Sequence, residues 1–173
     1  NRVQEALDKM HEASPSLQWE LVGHLQSNKA KLAAGRFTRI QSVDSVKLLR
    51  RLDAAMESLD GCQRILLQVN AGQDPAKFGV SLEGTEALLE DALALPRIRV
   101  EGFMTMAPLS ESPNVARRAF ARLRDLGCRL SERTGTNLPE LSMGMTGDLE
   151  AAVSEGSTLV RVGSGLFGER VSR

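Results

Sequence analysis

The chain has 173 residues, 42% of them hydrophobic and 25% charged, an ordinary globular composition with enough apolar residues for one core. Its 22 basic and 22 acidic side chains cancel and its aromatic content is only 3%, so neither the charge footprint nor the stacking platform of a nucleic-acid binder is present. No apolar run approaches the ~20 residues of a membrane span and no signal peptide opens the chain, so a cytoplasmic protein without a membrane partner is expected.

Asn1-Arg2-Val3-Gln4-Glu5 begins without methionine and runs straight into a helical pattern of Val3, Ala6, Leu7 and Met10, closed by Ser14-Pro15-Ser16. Residues 17–22 read as a strand ending at Gly23-His24, followed by a short helix over 28–34 with Gly35 as its stop. Residues 38–43 form a second strand. Ser45 then caps a helix in which Leu48, Leu49, Leu52, Ala55, Met56 and Leu59 recur at three- and four-residue spacing. Residues 64–70 are nearly all apolar, as in a parallel strand buried on both faces. A loop over 71–79 leads to a helix using Leu82, Leu89, Ala92 and Leu93, stopped by Pro96, and then to a strand over 98–105. Ser112-Pro113 starts a long helix with Ala116, Ala119, Phe120, Leu123 and Leu130 inward. Residues 138–141 read as a short strand before a glycine-bearing turn. Thr146 caps the next helix, whose apolar face is Leu149, Ala152 and Val153. The last strand, 158–162, carries one charge, Arg161, and runs into Gly163-Ser164-Gly165.

Strict alternation of strand and helix means an α/β fold with parallel strands joined by crossover helices. An open doubly wound sheet and a (β/α)8 barrel both satisfy it, but no Gly-x-Gly-x-x-Gly follows the first strand, which weakens the dinucleotide-binding option. Polar residues gather at the C-terminal strand ends: His24, Ser42, Asn70, Thr105, Ser142 and Gly163-Ser164. Barrel enzymes place their sites there. Six strands against the barrel's eight lead to the expectation of a TIM (β/α)8 barrel, one domain over 1–173, whose first strands are absent from this sequence.

Ser142 and the turn Gly163-Ser164-Gly165 suit a phosphate cradle of backbone amides and hydroxyls, although glycines also make tight turns for no other reason. Arg161 alternates with Val160 and Val162, so if the valines face the helices the guanidinium points into the barrel. There it needs a ligand atom or an intrachain carboxylate. His24 reads as a structural, hydrogen-bonded residue. Asn70 is satisfied by a neighbour or a ligand, and Met104 and Met106 fill core. Cys62 and Cys128 read as reduced, buried thiols. No metal-ligand cluster and no Gly-x-Ser-x-Gly elbow appears, so no metal site and no serine nucleophile are expected.

Taken together, Gly23-His24-Leu25-Gln26-Ser27-Asn28-Lys29, Gln41-Ser42-Val43-Asp44-Ser45, Gln68-Val69-Asn70, Gly102-Phe103-Met104-Thr105-Met106-Ala107-Pro108, Leu141-Ser142-Met143-Gly144-Met145 with Asp148-Leu149-Glu150-Ala151-Ala152, and Arg161-Val162-Gly163 with Phe167-Gly168 carry a specific pattern. In order and over nearly the whole chain, they and the opening pentapeptide resemble the YggS/PROSC family of pyridoxal phosphate homeostasis proteins. The resemblance implies the alanine racemase N-terminal barrel of fold-type III proteins, with pyridoxal 5′-phosphate as cofactor and only partner. It further implies intracellular homeostasis by carrying and buffering that cofactor, no firmly established catalytic reaction, and a monomer when complete. By the same resemblance, Ser142 and Gly163-Ser164 hold the phosphate and Arg161 faces the pyridine nitrogen, while Asn1, Met143 and Asn70 lie near the ring. The family's Schiff-base lysine lies upstream of the position matching Asn1. Lys9, Lys29, Lys31 and Lys47 fall on helices or helix starts and Lys77 in a loop, so no catalytic residue is assigned. A racemase-like enzyme and another phosphate-ligand barrel stay open as alternatives. Racemases of this fold use a tyrosine as second base, and this chain has none.

Overall fold

The structure is a computed structural model and describes residues 2–110 and 112–168. In chain order it runs α1 (Val3–Glu12), β1 (Glu20–Leu21), a 3-10 turn (Ser27–Lys29), α2 (Ala30–Ala33), β2 (Arg39–Val43) and α3 (Val46–Glu57). Then follow β3 (Gln63–Gln68), α4 (Thr85–Leu93), β4 (Ile98–Met104), α5 (Pro113–Thr134), β5 (Glu140–Met145), α6 (Leu149–Ser154), β6 (Leu159–Arg161) and α7 (Ser164–Phe167).

All six strands are parallel and each pairs with its sequence neighbour, in the order β1-β2-β3-β4-β5-β6. A doubly wound sheet reverses its order at a switch point, so this order selects the barrel solution. The sheet also curls. In a flat sheet β2 and β5 would stand about 14 Å apart, three strand spacings of roughly 4.8 Å each. Yet Ser142 on β5 donates a 2.6 Å hydrogen bond to Gln41 on β2, and Arg39 on β2 lies 3.3 Å from Glu140 on β5. These bonds close only across the inside of a half-barrel.

The core follows from the pattern. Ile40, Ile65, Leu66, Leu67 and Phe103 are fully buried on the strands. Leu48, Leu49, Leu52, Ala55 and Met56 of α3, and Ala116, Phe120, Leu123, Leu126 and Leu130 of α5, cover the sheet at helical spacing. Gly102 lets β4 and β5 come together. Its φ is +152° and a Cβ there would run into the Glu140 carbonyl.

Several local expectations are corrected. β1 keeps two residues of the six expected. β5 is Glu140–Met145, not 138–141, because Met143-Gly144-Met145 continues the strand where a turn was expected. Gly144, with φ +97°, lets that strand press on Ala152 of α6. The N-cap of α6 is Asp148, not Thr146, and its carboxylate accepts from the Met145 N–H at 2.6 Å. Ser45 stands at the N-cap of α3, but its side chain makes no cap hydrogen bond. Leu93, Leu59 and Val153, expected inward, are exposed; Leu59 falls in the turn beyond the end of α3 at Glu57, and Leu93 is the last residue of α4. Cys62 and Cys128 are free as expected but exposed, Cys62 lying in the turn before β3 and Cys128 on the outer face of α5.

Candidate functional site

Arg161 ends β6, and its guanidinium enters the half-barrel rather than solvent. Nη1 donates to Ser142 Oγ at 2.7 Å and Nη2 to the Thr105 carbonyl at 2.8 Å. Thr105 and Ser142 are fully buried. Among the described residues no ion pair includes Arg161. Burial pushes its guanidinium down from the usual value, with the charge of Asp148 opposing. Arginine stays protonated nonetheless. The result is a half-buried cation held by neutral groups, with N–H groups to spare.

Ser142 passes the contact on. It donates to Gln41 Oε1, and Gln41 Nε2 donates to Glu20 at 2.6 Å. Glu20 in turn receives Arg39 at 2.9 and 3.0 Å, and Arg39 reaches Glu101 at 3.2 Å, where Arg64 also binds at 2.7 Å. Burial alone would push the Glu101 carboxyl up, but Arg64 and then Arg39 outweigh it and hold the carboxyl below the usual range. Two layers thus fill the interior, an ionic one at the N-terminal strand ends and the Arg161 layer above it. Nothing in the local sequence around Gln41 or Glu20 marks them, because their partners come from distant strands.

At the rim the last two βα corners meet. The Gly165 N–H donates to Thr146 Oγ1 at 3.2 Å, and the Thr146 methyl abuts Gly165. Gly163 and Ser164 are exposed, and a Cβ on Gly163 would meet nothing within 4 Å. An open glycine corner with two hydroxyls, directly after a half-buried arginine, fits an anionic group whose body lies over the guanidinium.

The remaining candidates separate from this hollow or join it less directly. Ser142 is mid-strand, and its only proton already goes to Gln41. Met143 is fully buried in the core. Asn70 binds its own loop, donating to the Asp74 carbonyl at 2.8 Å and accepting from the Asp74 N–H at 3.1 Å. Asn1 lies outside the described residues. His24 stacks on Phe78 with centroids 4.0 Å apart and sits 3.9 Å from Asp44, whose carboxyl burial pushes up. None of the lysines is on a strand. Thr146 is the residue the sequence reading missed in this role, and its threonine one residue beyond Met145 was the available signal.

The family model described as alanine racemase, N-terminal domain, matches residues 1–171. A pyridoxal phosphate homeostasis protein of Aquifex aeolicus is 40% identical over 171 residues, covering 98% of this chain and 75% of that protein. The chain belongs to this family. PipY of Synechococcus elongatus PCC7942, solved with PLP bound, matches with a TM-score of 0.90 at 38% identity over 97% of this chain and 79% of that one. An alanine racemase of Clostridium difficile 630 matches with a TM-score of 0.80 over 99% of this chain and 44% of that one. At 15% identity that likeness speaks for the fold alone. The expected barrel family is therefore the right one, and the described residues hold six curled strands of it. Among them no helix is long and apolar enough to cross a membrane.

Proposed function

We propose that this chain binds pyridoxal 5′-phosphate at the Arg161 hollow and serves as an intracellular carrier and buffer of it. The observation that carries this reading is the half-buried Arg161 guanidinium, turned into the half-barrel with no carboxylate partner among the described residues and set beneath the open Gly163-Ser164 corner. Two further facts support it: a relative of this family is solved with PLP bound, and others are named pyridoxal phosphate homeostasis proteins. When bound, the cofactor supplies an electrophilic aldehyde and an electron-withdrawing ring. Gly163, Ser164 and Thr146 hold the phosphate at the rim. The phosphate role expected of Ser142 passes to Thr146, since the Ser142 proton is committed to Gln41. Ser142 instead braces Arg161, which donates to the ring nitrogen.

A guanidinium donates and cannot accept a proton there, so the ring nitrogen stays unprotonated and draws electrons weakly. Carbanion chemistry is then poorly supported, which suits a carrier better than a racemase.

The test is titration of the chain with pyridoxal 5′-phosphate and with pyridoxine 5′-phosphate, which lacks the aldehyde, followed by borohydride reduction and peptide mass spectrometry. Saturable binding of both, weakened by Arg161→Met and by Thr146→Val and competed by phosphate, is expected. No stoichiometric adduct is expected on Lys9, Lys29, Lys31, Lys47 or Lys77. Binding indifferent to Arg161 sinks the reading.

A further inference from the structure

The hydrogen-bond line from Arg161 across the barrel has a direction, and its far end sets it. Glu20, held by Arg39, offers only acceptors. Gln41 must therefore turn its amide nitrogen toward Glu20, at 2.6 Å, and its carbonyl oxygen toward Ser142. Ser142 then gives its one proton to Gln41, which leaves its lone pairs to receive Arg161 Nη1–H at 2.7 Å. Reversing any member sets two donors or two acceptors face to face, and the Gln41 and Ser142 side chains are too well buried for water to repair the mismatch.

We propose that Gln41 and Glu20 are positioning residues for the guanidinium that reads the ligand. They fix its orientation through Ser142 without touching the ligand themselves. This rests on the reading of Arg161 as the group that meets the ring nitrogen. The arrangement solves a conflict. A carboxylate in direct contact would orient Arg161 equally well, but it would compete for the N–H groups and the charge that the ligand needs. Moving the carboxylate behind Gln41 and Ser142 keeps the orientation and spares the cation. Only two guanidinium N–H groups have partners among the described residues.

The first measurement needs no ligand. In the chain labelled with 15N-arginine, pinning by Ser142 and Thr105 should slow rotation about the Arg161 Cζ–Nε bond and give separate Nη resonances, assigned by their loss in Arg161→Met. Gln41→Met keeps length and removes both hydrogen bonds. Glu20→Gln removes the acceptor-only end while Arg39 retains Glu101 and Glu140. Each should collapse the Arg161 pair to an averaged signal, with circular dichroism and unfolding midpoints confirming that the variants fold. The second measurement is pyridoxine 5′-phosphate affinity, expected to fall about tenfold in Gln41→Met although every ligand-touching group remains. Unchanged Arg161 resonances in both variants overturn the relay. Collapsed resonances with unchanged affinity overturn its service to the ligand. Absence of wild-type binding overturns the ligand reading instead, and the ligand-free resonances then judge the relay alone.

Discussion

Arg161 is a cost to the fold and an asset to the site. Its guanidinium loses water on burial and gains two neutral acceptors, with no carboxylate to offset the charge among the described residues. Replacing such a group by an apolar side chain of similar volume is often neutral or stabilising. Arg161→Met should therefore shift folding stability by no more than about 1 kcal/mol, since the loss of two hydrogen bonds is set against relief of a half-buried charge. It should also weaken pyridoxal phosphate binding by roughly 10- to 100-fold. Chemical denaturation and ligand titration measure the two sides, and a large stability loss would mean the cation is structural. This residue was legible in the sequence as the single charge in an apolar strand, with the direction of its side chain following from alternation. Gln41 was not legible, because a glutamine in a strand is unremarkable until its partner, 101 positions away, is placed across the barrel from it.

At the scale of elements, the ionic layer ties β1, β2, β3, β4 and β5 together. Arg39 faces Glu20, Glu101 and Glu140, with its own side chain almost fully buried. Arg39→Met would leave three carboxylates turned toward an apolar stub and should cost roughly 3–5 kcal/mol in urea unfolding. A midpoint like that of the parent would show the layer to be decoration. The layer also sets the response to acid. Glu101 is held below the usual carboxylate range when folded, so the unfolded chain takes up its proton first as pH falls. Its contribution is whole above about pH 5, declines below the unfolded value of about 4.3, and is gone below the folded value. Glu101→Gln should lose stability less steeply than the parent between about pH 5 and pH 3, and parallel curves would count against the pairing. Helix faces such as that of α5 were readable from spacing alone. The register of β5 was not. Gly144 looks like a turn residue in the sequence, yet it lies in the strand because only a glycine allows Ala152 to approach there.

For the whole molecule, alternation of strands and helices was enough to foresee a parallel sheet in sequence order, and the number of strands agreed. What alternation does not settle is how the sheet ends. Within the described residues β1 and β6 each pair on one side only. β1 is two residues long and β6 three, so both are short templates, and what sets β6 apart is the apolar surface beside it. Val160 on β6 is 37% exposed, and Val153, Leu166 and Phe167 in the flanking helices are 59%, 73% and 87% exposed. Single exposed apolar residues are ordinary, but a cluster along an unpaired parallel strand offers both backbone groups and apolar area to another chain. The polypeptide of this sequence alone should therefore self-associate through β6, with a weight-average mass in sedimentation velocity that rises with concentration. Val160→Lys combined with Phe167→Glu places charges on that edge without touching Arg161, and should return the species to monomer mass at every concentration. Association that persists in the double variant would move the contact to another surface. A parent chain that stays monomeric throughout would show that the β6 edge is already covered.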